Sequence, residues 1–125
     1  MKRLLVVDDD ADFCQLLKAV LEAYHFMVDI ASNGQEALER VGVLVPDGIF
    51  LDLHMPVLDG WAVLDVLHRD YPDLPVIIIT ASRPGNVRQH VRARGAAACL
   101  LKPFEPQELR ATLRDAFGWT PEPAG

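Results

Sequence analysis

Five short apolar runs, each followed by a longer stretch with helical periodicity, recur along this chain, and that alternation leaves very few architectures open to it. A parallel sheet covered by helices on both faces satisfies the pattern, because parallel strands need long crossovers and bury both of their own faces. The reading is (βα)₅, a single three-layer α/β domain built on a doubly wound, five-stranded parallel sheet. Strands are expected at Leu4 to Asp8, Phe26 to Ala31, Gly48 to Asp52, Val76 to Thr80 and Ala97 to Leu101. The fourth run is β-branched throughout, as a central strand buried on both sides requires.

Helices fill the intervals. The first is expected from Ala11 to about Tyr24, with Phe13, Leu16, Leu17, Val20 and Leu21 at helical spacing and Asp10 as its cap. The second opens on Ser32-Asn33-Gly34-Gln35, a Ser-x-x-Gln capping box, and runs through about Val41. The third follows the Pro and Asp-Gly punctuation of residues 54–60 and reaches about Arg69, and the fourth runs after Pro84 to about Arg94, with Gly95 as C-terminal cap. Pro106 starts the last helix, Gln107 to about Phe117. From Trp119 onward there are too few apolar residues to pack, so residues 1–118 are expected to form the domain and 119–125 a flexible tail or linker stub.

Composition narrows the class. With 125 residues, 50% of them apolar and 24% charged, the chain has the balance of one soluble domain. A net charge of −6 and a pI near 5.0 argue against direct nucleic-acid binding, and no apolar run approaches membrane-spanning length. Met1-Lys2-Arg3 leads straight into a short apolar run without the features of a secretory signal, so a cytoplasmic location is expected. Cys14 and Cys99 lie in apolar patterns without metal-ligand spacing and read as reduced core thiols. No acid falls between Asp73 and Glu105, an interval holding Arg83, Arg88, Arg92, Arg94 and Lys102, which reads as a solvated basic face or, more sharply, a partner-docking surface.

Four of the apolar strands end at the same, carboxyl, end in a polar or charged residue: Asp8 with Asp9, Asp52, Thr80 and Lys102. In open doubly wound sheets ligands bind outside the carboxyl ends of the strands where the strand order reverses, between strands one and three in the order 2-1-3-4-5. Asp8, Asp9 and Asp52 are therefore expected to converge. Like charges at about 4 Å cost about 4 kcal/mol per pair at an effective dielectric of 20, which calls for a divalent cation. Oxygen-only ligands with positions left for water and phosphate suit Mg²⁺, whereas Zn²⁺ would want His or Cys. Lys102 and the Thr80 hydroxyl suit the oxygens of a transferring phosphoryl group, and a carboxylate nucleophile completes the set.

Val6-Val7-Asp8-Asp9, Leu51-Asp52 through Met55-Pro56 to Asp59-Gly60, Thr80-Ala81 and Lys102-Pro103-Phe104 together resemble the motifs of two-component response-regulator receiver domains, over about residues 2 to 118. The resemblance implies a flavodoxin-like fold and a switch that catalyses only its own aspartyl phosphorylation and dephosphorylation. Asp52 would accept phosphate from the phosphohistidine of a histidine kinase or phosphotransfer protein. Asp9 and Asp52 would bind Mg²⁺ with the His54 backbone carbonyl, Asp8 would act mainly through water, and Thr80 and Lys102 would sense the acylphosphate. It further implies a cis peptide before Pro103, signalling through the face of the fourth helix, fifth strand and fifth helix to an output domain or protein, and homodimerisation on phosphorylation.

The chain departs from the family at Cys99, three residues before Lys102, where receivers commonly place an aromatic partner for the Thr. His54 and Ser82 occupy positions that in the family tune dephosphorylation. Bland readings compete at each position: Asp8 or Asp9 as caps of the first helix, Thr80 as a strand former, Lys102 as a solvated lysine. For Asp10 and Asp12, first-turn acids, the bland reading is preferred. Asp52 has no good one, since a carboxylate ending a buried strand is destabilising unless paired or metal-bound. Two alternative functions remain: a pseudo-receiver that only binds partners, and a phosphatase of the haloacid dehalogenase type, which would want a second Asp where His54 stands.

Overall fold

The computed structural model describes residues 2–81 and 85–121, so Ser82, Arg83, Pro84 and the end of the expected tail lie outside it. Among the described residues the elements run β1 (Arg3–Val7), α1 (Ala11–Ala23), β2 (Met27–Ala31), α2 (Gly34–Val43), β3 (Gly48–Asp52), α3 (Gly60–Asp70), β4 (Val76–Thr80), α4 (Val87–Ala93), β5 (Ala98–Leu101) and α5 (Pro106–Phe117). The five strands form one parallel sheet in the expected order β2-β1-β3-β4-β5.

Side chains alternate across the sheet and divide the core in two. Leu4, Val6, Val28, Phe50, Ile77, Ile79 and Leu100 meet Cys14, Leu17 and Leu21 of α1 and Leu109, Leu113 and Phe117 of α5. Leu5, Val7, Ile49, Leu51, Val76, Ile78 and Cys99 meet α2, α3 and α4 through residues such as Val41, Leu64 and Val91. Ile77, Ile78 and Ile79 are fully buried, each contributing roughly 2 kcal/mol of hydrophobic stabilisation.

The helix ends match expectation at α1, where the Asp10 carboxylate accepts the Phe13 N–H at 3.1 Å, and at α4, where Gly95 follows the helix at φ 99°. At α2 the capping box is displaced by one residue. Asn33 is the cap, its side chain accepting the Glu36 N–H at 2.8 Å, while the Glu36 carboxylate reaches back to the Ser32 hydroxyl at 3.1 Å. Glu36, three residues after the Asn33 cap, closes the box, and Gln35 instead donates to Glu39. Trp119 is also placed differently from expectation. Its ring packs 5.0 Å from that of Tyr24 and its indole N–H donates to the Tyr24 carbonyl at 3.1 Å, so the chain stays attached to the fold one residue past Gly118.

Candidate functional site

Register brings the singled-out residues to one edge of the sheet. Val7 pairs with Leu51 and Asp52 with Ile79, so Asp8, just past β1, and Asp52, the last residue of β3, emerge side by side. Thr80 ends β4 opposite Leu101, and its carbonyl accepts the Lys102 N–H at 2.8 Å. Oxygens of Asp8, Asp9 and Asp52 lie within 4.8 Å of one another, with Asp8 and Asp52 buried and Asp9 exposed. Thr80 is fully buried beside them in the sheet, and the Lys102–Pro103 peptide is cis.

Asp8 is held from several sides. One carboxylate oxygen accepts the Asp10 N–H at 3.0 Å and the other the Lys102 ammonium at 2.6 Å, while the Asp8 carbonyl accepts the Cys14 thiol at 3.3 Å. Neither Asp8 nor Asp9 caps α1, since Asp10 does so. Burial, then the nearby Asp8 carboxylate, push the Asp52 carboxyl up to about 6, opposed by Lys102 and by the His54 backbone N–H donated to it. The His54 residue itself is exposed. Three crowded acids with one ammonium among them form an all-oxygen donor set suited to a hard divalent cation such as Mg²⁺.

The loop after Asp52 is pressed against the strand. The Gly60 N–H donates to the Leu53 carbonyl at 2.8 Å, and a Cβ at Gly60 would collide with the Asp52 carbonyl oxygen and stand 2.6 Å from the Leu53 Cα. Glycine at this position lets α3 start directly beneath the acid.

Sequence reading missed several contacts. The Lys102 ammonium stands 4.0 Å from the centre of the Phe13 ring, which meets Phe104 edge-to-face at 6.3 Å. The Arg88 guanidinium donates to the Cys99 carbonyl at 2.6 Å, and Arg94 pairs with Asp65 and stacks on Trp61, so part of the basic interval is used within the fold. Helical spacing marked Phe13 as a core position and gave no hint that its ring meets Lys102; the arginine contacts have no local signal.

The family profile described as "Response regulator receiver domain" matches residues 4–114, nearly the whole chain. The chain belongs to the response-regulator receiver family. This receiver is 36% identical over 117 residues to the transcriptional regulatory protein ZraR of Escherichia coli, covering 94% of the chain and 26% of that relative. It is 38% identical over 112 residues to the response regulator MprA of Mycolicibacterium vanbaalenii, covering 90% and 48%. The chain thus spans between about a quarter and a half of these curated relatives. Among solved structures it resembles the chemotaxis protein CheY4 of Vibrio cholerae, with a TM-score of 0.85, 29% identity, and 94% and 99% of the two chains covered. It also resembles the receiver domain of the Francisella response regulator 1452, with a TM-score of 0.87, 30% identity, and 94% and 98% covered. A place in two-component signalling follows from the family. No helix among the described residues is long and apolar enough to cross a membrane.

Proposed function

We propose that Asp52 is the phosphoryl acceptor of a Mg²⁺-dependent switch and takes its phosphoryl group from the phosphohistidine of a histidine kinase or phosphotransfer protein. The observation that carries this reading is the meeting of Asp8, Asp9 and Asp52 within 4.8 Å, with Lys102 on Asp8. Asp9, Asp52 and the His54 carbonyl would hold the cation, with Asp8 acting through water. When bound, Mg²⁺ offsets the carboxylate charge and that of the phosphoryl oxygens.

In the transfer an Asp52 oxygen bonds to phosphorus as the bond from phosphorus to the histidine nitrogen breaks, and the electron pair leaves with the imidazole. Lys102 and the Thr80 hydroxyl serve the phosphoryl oxygens. The product carries about −1.5 to −2 charges and three acceptor oxygens, which draw Thr80 inward and bias α4 toward an active arrangement. Output passes through the face of α4, β5 and α5, where a groove of about 480 Å³ has Arg88 and Arg92 on one wall and Glu108 and Asp115 on the other. An output domain or protein, or a second phosphorylated copy, docks there in a cytoplasmic chain. With Cys99 buried in place of an aromatic, coupling to that face runs through packing and the Arg88 bond.

Acetyl phosphate with Mg²⁺ is expected to add one acid-labile phosphoryl group, and Asp52→Asn to prevent it. An unchanged adduct by mass spectrometry in the variant rejects the assignment. Absence of both adduct and Mg²⁺ binding in the wild type establishes a pseudo-receiver, and turnover of small phosphate esters without an adduct establishes a hydrolase.

A further inference from the structure

The geometry points to Phe13 as a positioning residue for Lys102, its ring face setting where the ammonium stands before a phosphoryl group arrives. This rests on the reading of Lys102 as a ligand of the transferring phosphoryl group. Among the described residues the Lys102 ammonium meets partners of two different kinds, the Asp8 carboxylate at 2.6 Å and the Phe13 ring centre at 4.0 Å. A carboxylate alone draws an ammonium into contact and leaves its four-carbon stem free to choose a path. The ring adds a second, differently directed attraction, because an aromatic face carries negative potential and holds a cation within about 6 Å of its centre.

The ring is itself held in place. Phe13 sits in the first turns of α1, whose start is fixed by the Asp10 carboxylate accepting the Phe13 N–H at 3.1 Å. The ring also meets Phe104 edge-to-face at 6.3 Å, two residues beyond Lys102, and packs against the core beneath α1 and α5. Thus Asp10 fixes the backbone of Phe13, Phe104 fixes its ring, and the ring with Asp8 fixes the ammonium, whose side chain is only 19% exposed. Binding the ammonium from opposite kinds of partner keeps it desolvated and oriented, so less rearrangement is required when phosphoryl oxygens compete for it.

The test compares Phe13→Leu, which keeps apolar bulk without a π face, with Phe13→Tyr, which keeps the face. Two readouts are taken on the intact chain: the rate constant for Mg²⁺-dependent labelling of Asp52 by acetyl phosphate, and the NMR shifts of the Lys102 ε-methylene protons in the unphosphorylated protein. The expected result is an upfield ring-current shift in wild type and Phe13→Tyr that is lost in Phe13→Leu, together with labelling about two- to tenfold slower in Phe13→Leu alone. Equal labelling rates in all three proteins, equal slowing in both variants, or Lys102 shifts that ignore the loss of the ring overturn the assignment. Failure of the wild type to label is a failure of the phosphoacceptor reading, and the Lys102 shifts still decide whether the ring holds the ammonium.

Discussion

Without a cation, Asp52 is a carboxylate that its own surroundings disfavour. Its carboxyl is pushed up from 3.8 to about 6, first by burial and then by Asp8, so the folded state binds the proton more tightly than the unfolded chain does. The resulting stabilisation is fully present below pH 3.8 and is lost as pH rises through about 6, amounting to roughly 3 kcal/mol by pH 7.5. In chelator, Asp52→Asn is therefore expected to unfold at a higher temperature than wild type at pH 7.5, with the gap closing toward pH 4.5. Adding Mg²⁺ should raise the wild-type midpoint far more than that of the variant. Thermal scans in which the variant is the less stable protein at pH 7.5 would show that the acids are not crowded. Asp52 was legible in the sequence because a charged residue ending an apolar strand is rare without a use. The contact between Phe13 and Lys102 was not, since 89 positions separate them and only the packing of α1 beside the end of β5 joins them.

Among the elements, the loop between β3 and α3 shows local tension. Val57 lies at φ 74° with its side chain 89% exposed, so a β-branched residue occupies the left-handed region with no packing to offset it. Val57→Asn is expected to stabilise the domain by about 1 kcal/mol, read as a higher urea midpoint at unchanged slope. A lower midpoint would mean that the valine makes contacts in solution that outweigh its backbone conformation. The strands were legible almost to the residue, because apolar runs bounded by acids, prolines and glycine leave little choice. The start of α2 was not, since Ser32-x-x-Gln35 and Asn33-x-x-Glu36 both fit the box and only the extended backbone of Asn33, at φ −158°, decides between them.

At the scale of the molecule, a parallel sheet with two covering layers followed from alternation and its strand order from the doubly wound fold, whereas the extent of the domain did not. Trp119 looks like the start of a polar tail, and its partner Tyr24 is 95 residues away. Ending the chain after Gly118 is expected to destabilise it by about 2 kcal/mol relative to ending after Pro121, through loss of the ring contact and the indole hydrogen bond. Equal thermal midpoints for the two lengths would return Trp119 to the tail.

The ion pair between Asp8 and Lys102 joins positions 94 apart, near the two ends of the fold. A nascent chain therefore carries its acidic couple through most of synthesis without the cation that steadies it, and no fragment ending before β5 owns a complete pocket. Under the proposed assignment, a polypeptide truncated before β5 lacks the lysine that would serve the phosphoryl oxygens. If Asp52 is the acceptor proposed above, its phosphorylation also reports that the last strand is in place.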